Sequence, residues 1–116
     1  MEEKIYNLKD RSFVFAKRIL EIADLLSRGH SCDIIRNQLI RSGTSIGANI
    51  EEADGSLTRK DFTNKMAIAR KEAKETRYWL RLLIPKYLEQ KVIEKDIKEV
   101  EELISILSAI INKTKA

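Results

Sequence analysis

Arg70, Lys74, Arg77 and Arg81 are separated by four, three and four positions. On a helix that spacing aligns them along one side. A phosphate backbone is met by such a row, because each cation that contacts a phosphate releases a counterion and adds affinity without reading sequence. Lys71 and Lys65 extend the same basic surface as secondary contacts. The plainer alternative is a solvated face whose charges pair with Glu99, Glu101 and Glu102 further along the chain. Aromatic interleaving is poor, so base stacking is not expected.

Glu72 and Glu75 form a carboxylate pair on the same segment, a constellation able to move protons or to bind metal. A di-iron bundle requires Glu-x-x-His repeats on two helices, and none is present. The expectation is instead a hydrogen-bonded polar layer in which Glu72 and Glu75 meet Arg41, or accept from Ser45 and Asn49, and fix helix register. His30, the single histidine, follows a glycine stop and is placed in a loop, not mid-helix where a phosphotransfer histidine would sit. Cys32 lacks a second histidine to activate it and reads as a small apolar residue at a helix start. Neither a Gly-rich phosphate loop nor a Gly-x-Ser-x-Gly elbow occurs. No metal, no cofactor and no enzymatic activity are expected.

The other flank of this segment carries Ile68, Glu72, Glu75, Trp79 and Leu82/Leu83. A large indole off the core stripe is the type of residue that anchors interfaces, so Ile68, Trp79 and Leu82 are candidates for a subunit contact. Equally, Trp79 could close the edge of the monomer core.

Helices must hold these residues. Phe15, Ile19, Ile22 and Leu26 recur at steps of four, three and four, and Phe13, Ala16, Leu20 and Ala23 widen the stripe. Gly29 is expected to stop this helix in a left-handed C′ conformation. Ile35, Leu39, Ile46, Ile50 and Ala53 share a face of a second helix that ends at Gly55. Beside that face Gln38, Ser42, Ser45, Asn49 and Glu52 form a polar stripe, while Gly43 and Gly47 suit close approach of another backbone. Thr58-Arg59-Lys60-Asp61 resembles a capping box ahead of a third helix with a core of Phe62, Met66, Ala69, Ala73, Leu80 and Ile84. Pro85 ends or kinks it. Ile93, Ile97, Val100, Ile104, Leu107 and Ile111 mark a fourth helix with the cleanest heptad pattern. The predicted helices cover about 10–28, 33–54, 59–85 and 93–112. Joined by short links, they make a single-domain, all-α, antiparallel up-down four-helix bundle over residues 1–116.

Composition agrees with that class. The chain has 116 residues, 43% apolar and 34% charged, with one proline and four glycines, too few turn residues for an all-β fold. Its net charge of +4 is localised: residues 59–91 carry +6, while the segments before and after carry −1 each. No apolar run approaches the ~20 residues that span a bilayer, and the N-terminus lacks the apolar core of a signal peptide. One cysteine cannot make an internal disulfide, which points to a reducing compartment, the cytoplasm by default.

The stretch Gln38-Leu39-Ile40-Arg41-Ser42-Gly43-Thr44-Ser45-Ile46-Gly47-Ala48-Asn49-Ile50-Glu51-Glu52 resembles the signature of the bacterial four-helix-bundle family encoded in intervening sequences of 23S ribosomal RNA genes. The later runs Asp61-Phe62, Ile68 to Ala73 and Tyr78-Trp79-Leu80 resemble that family's third helix. Gly43 stands where the signature usually has alanine, and Ala53 where it has glycine. The resemblance implies a homopentamer, similar in fold to the accessory protein of diversity-generating retroelements, which binds nucleic acid and a reverse transcriptase. It implies no catalytic activity. The expected function is a non-enzymatic oligomer that binds RNA or DNA, or a nucleic-acid-processing partner, through the basic surface of helix 3. The alternative is a scaffold for a protein partner that binds no nucleic acid.

Overall fold

The computed structural model describes residues 2–115, with side chains from residue 7 onward. Four helices follow in order: α1 (Glu2–Leu25), α2 (His30–Asp54), α3 (Arg59–Leu82) and α4 (Gln90–Lys115). Each packs against its two neighbours in a closed circuit, and the α1–α4 contact is the thinnest. The pairings run antiparallel. Lys9 of α1 binds Asp54 near the end of α2, whereas Arg36 near the start of α2 reaches the α1 carbonyl of Ala23. Arg18 of α1 binds Asp96 early in α4, and the more N-terminal Arg11 binds Glu99 and Glu102. The all-α up-down bundle is therefore the fold.

The central core is built from the apolar positions the periodicity marks: Ile19, Ile22, Leu39, Ile46, Ile50, Met66, Leu80, Ile93 and Leu107 are fully enclosed. Two glycines decide how closely α1 and α2 approach. A Cβ on Gly43 would stand 2.8 Å from Ile19 Cγ1 and Cγ2, and one on Gly47 would stand 3.2 Å from Ser12 Oγ. The Gly-x-x-x-Gly spacing thus admits α1 rather than a membrane partner.

Several boundaries differ from expectation. α1 begins at Glu2 and ends at Leu25, and Phe13 and Leu20 do not belong to its core stripe: they are 63% and 46% exposed. Leu8 and the buried Ser12 take the inner positions instead, Ser12 fitting against Gly47 where a bulkier residue would not. Gly29 is not a left-handed stop for α1. It is the N-cap of α2, with φ 158° and ψ 156°, a region open essentially only to glycine. The α1 terminus is capped by a side chain: the Arg36 guanidinium donates to the carbonyls of Ala23, Leu26 and Ser27 at and just beyond the helix end. His30 consequently lies in the first turn of α2, exposed, not in a loop. Thr58 caps α3 by accepting from the Asp61 amide at 3.0 Å. α3 ends at Leu82, before Pro85, and α4 extends from Gln90 to Lys115, beyond both predicted ends.

Candidate functional site

The two sets of predicted residues lie on different sides of α3. Between α2 and α3, Arg41 binds Glu72 at 3.0 Å and also Glu75, while its Nε donates to Gln38 Oε1 at 3.2 Å. The Trp79 indole N–H donates to the same Glu75 oxygen at 3.0 Å. These two donors, the indole first and the guanidinium after it, hold the Glu75 carboxyl below its ordinary value of 4.5 against the opposing effect of burial. The Glu75 bond in turn raises Arg41 above its ordinary value. Glu75 is thus tied by hydrogen bonds to Arg41 and Trp79, and Arg41 carries the network on to Gln38 and Glu72. Glu72 is buried among the apolar residues of α3 with its carboxylate on Arg41.

Next to this cluster on the core side, the Ser42 and Thr76 hydroxyls meet at 2.8 Å, fully buried. Ser45 and Asn49 do not reach the glutamates. Ser45 donates to the Arg41 carbonyl and Asn49 to the Ser45 carbonyl, each one turn back along α2. Short polar side chains on a helix have that local acceptor within reach, which wins over a partner across the interface. Glu52 lies outside the layer and pairs with Lys65 at 2.9 Å.

On the α4 side, Arg70, Lys74, Arg77 and Arg81 keep their row. Lys74 and Arg81 are exposed, Arg70 and Arg77 half-buried. Among the described residues none of the four, nor Lys71, has a carboxylate within 4.0 Å; Arg70 reaches only the Ser108 hydroxyl, at 3.4 Å. Two of the three glutamates expected to neutralise the row are engaged elsewhere. Glu99 and Glu102 clasp Arg11 of α1, with contacts of 2.7–3.0 Å. Lys65, by contrast, is not a free cation, because Glu52 holds it.

Along the outer flank of α3, Ile68 is 37% and Leu82 44% exposed, while Trp79 is half-buried against the core. Leu83, grouped with Leu82 in the sequence, is fully buried. Sequence reasoning missed Tyr78, which stands exposed beside Trp79 with ring centroids 5.1 Å apart and planes at 77°. Its position four after Lys74 and three before Arg81 was the signal available. It also missed Arg11, Arg18 and Asp96, which close the α1–α4 seam and whose partners lie more than 75 positions apart. A groove of about 800 Å³ runs along that seam between Leu8, Arg11, Ile106, Ala109, Ile110 and Lys113, away from both candidate surfaces.

Among the described residues no group of three or more His, Cys, Asp or Glu is placed to hold a metal, and no helix is long and apolar enough to cross a membrane. Cys32 is buried.

Comparison with known proteins follows the fold. A family model described as 23S rRNA-intervening sequence protein matches residues 4–109. A crystal structure from Bacteroides thetaiotaomicron, described as a protein with unknown function from the S23 ribosomal protein family, is 42% identical. It superposes with a TM-score of 0.87 over 94% of this chain and 98% of that one. No curated protein matches the chain.

Proposed function

The chain belongs to the 23S rRNA-intervening sequence protein family, and from that footing we propose that it is a non-enzymatic assembly module that binds nucleic acid through α3. The observation that carries this reading is the row Arg70, Lys74, Arg77 and Arg81, which among the described residues has no carboxylate within 4.0 Å while Glu99 and Glu102 are committed to Arg11. Unpaired cations in line are the footprint of phosphate binding. Ile68, Trp79 and Leu82 are the proposed contact between copies, with a homopentamer as the assembly and the cytoplasm as the compartment. A ring would repeat the row around its axis, so that contacts weak singly add in avidity.

The exposed apolar flank of α3 also favours a second reading, a scaffold for a protein partner without nucleic-acid binding. Light scattering coupled to size exclusion, with and without a mixed RNA and DNA pool at low and high salt, separates them. The nucleic-acid reading expects a mass near five times the 13.4 kDa chain and a shift with nucleic acid at low salt only. The double variant Arg70→Glu/Arg77→Glu should keep the mass and lose the shift. A protein that ignores nucleic acid at both salts leaves the scaffold.

A further inference from the structure

We infer that the α3 surface is built for single-stranded nucleic acid, with Tyr78 stacking an unpaired base while the cations around it hold the phosphates; this rests on the nucleic-acid reading above. Tyr78 is 58% exposed on the crest of α3. It lies seven positions after Lys71, four after Lys74 and three before Arg81, so cations flank it along its own helical line.

The ring is positioned as well as exposed. Trp79 packs on the core, its indole N–H is tied to Glu75, and Glu75 is held by Arg41. Tyr78 stands edge-on to that immobilised indole. Between Lys74 and Leu82 the one acid is Glu75, and its charge is already met by Arg41 and the indole N–H. A duplex gains from the cations alone, because its bases are stacked inside the helix. An unpaired base offers a free π-face, and stacking on an aromatic ring adds affinity with little sequence preference. The expectation that stacking is absent is thereby revised: one aromatic, not a series, stands among the cations.

Fluorescence anisotropy tests this with labelled RNA and DNA strands of about twelve nucleotides, a length within the site sizes of such proteins, each also annealed as a duplex, at low salt. Tyr78→Ala should weaken single-strand binding about 5- to 100-fold and leave duplex binding and the assembly mass unchanged. Tyr78→Phe should bind single strands like the parent. Parent-like binding of single strands by Tyr78→Ala, or equal losses on single strands and duplex, overturns the inference and leaves the nucleic-acid reading standing. A changed mass for Tyr78→Ala assigns the ring to a subunit contact and overturns it too. If the parent protein binds neither single strands nor duplex, the nucleic-acid reading falls and this inference with it.

Discussion

The hydroxyls of Ser42 on α2 and Thr76 on α3 meet at 2.8 Å with no solvent access to either side chain. Thr76 also lies 2.8 Å from the Glu72 carbonyl, so the pair is stitched to its own helix as well as across the interface. Sliding α2 along α3 by one turn would leave both hydroxyls buried among apolar neighbours without each other, which gives the pair a role in register. Ser42→Ala should lower stability by about 1 kcal/mol, because it removes the buried hydrogen bond across the interface while Thr76 keeps the Glu72 carbonyl. Ser42→Ala with Thr76→Val should lose less than the sum of the single changes. Urea unfolding followed by far-UV circular dichroism measures both.

Gly43 makes a sharper demand on packing. The Cγ atoms of Ile19 would lie 2.8 Å from an added Cβ, and Ile19 is fully buried at a point where it cannot swing aside. Gly43→Ala should therefore destabilise by about 1–3 kcal/mol despite the better helix propensity of alanine. In an Ile19→Ala background, which removes both Cγ atoms and leaves only the Cβ at 3.2 Å, the same change should cost clearly less. Gly47→Ala comes no closer than 3.2 Å to Ser12, at its hydroxyl, so its thermal midpoint should fall much less than that of Gly43→Ala.

Much of this fold was legible because helical periodicity is local. Residues such as Ile19, Ile46 and Leu107 announce their face through neighbours three and four positions away, and Gly55 and Pro85 mark ends through their own backbone chemistry. What escaped depends on another helix. Ser12 enters the interior because Gly47 leaves room for it, a fact no property of Ser12 conveys, and Phe13 and Leu20 lie at the surface. Asp96 is buried because Arg18 answers it from 78 positions away. The candidate site was legible in its rows of residues and illegible in its pairings: Arg41 with Glu72 and Glu75 was among the expected contacts, but the capture of Glu99 and Glu102 by Arg11 was not.

Glu75 should make stability depend on pH in the acid range. Its carboxyl is held below 4.5 by the Trp79 indole N–H and by Arg41, so the folded state binds that proton more weakly than the unfolded chain. The resulting stability is fully present above the unfolded carboxylate value and is lost as pH falls through the folded one. Glu75→Gln should be less stable than the parent near neutral pH, and the gap should narrow below pH about 4. Asp33, lowered by Arg36, titrates in both proteins and cancels in the comparison. Urea midpoints across that range would show a constant gap if the Glu75 charge carried no weight.

The α1–α4 seam is the thinnest contact of the bundle and is spanned by two ion-pair groups of unequal burial. The Asp96 side chain is 12% exposed and relies on Arg18, whereas Arg11 serves the more exposed Glu99 and Glu102. Arg18→Ala leaves a carboxylate enclosed without its cation and should destabilise by about 2 kcal/mol. Arg11→Ala removes more hydrogen bonds yet should lose under about 1 kcal/mol, because its partners are solvated. Hydrogen exchange should show faster opening of α4 near Asp96 in Arg18→Ala; equal effects of the two changes would contradict the burial argument.

Lys74 and Lys65 separate a free cation from a committed one on the same helix. Lys74 is exposed with no carboxylate within 4.0 Å among the described residues, while the Lys65 ammonium lies 2.9 Å from Glu52. Only a cation available to phosphate releases counterions when nucleic acid arrives. In plots of log affinity against log salt, Lys74→Ala should reduce the slope by about one unit for every nucleic-acid sequence tested. Lys65→Ala should leave the slope nearly unchanged, which removes Lys65 from the binding row. Equal slopes for the parent, Lys74→Ala and Lys65→Ala would mean that the cations of α3 serve solubility, and the protein-partner scaffold would then account for the surface.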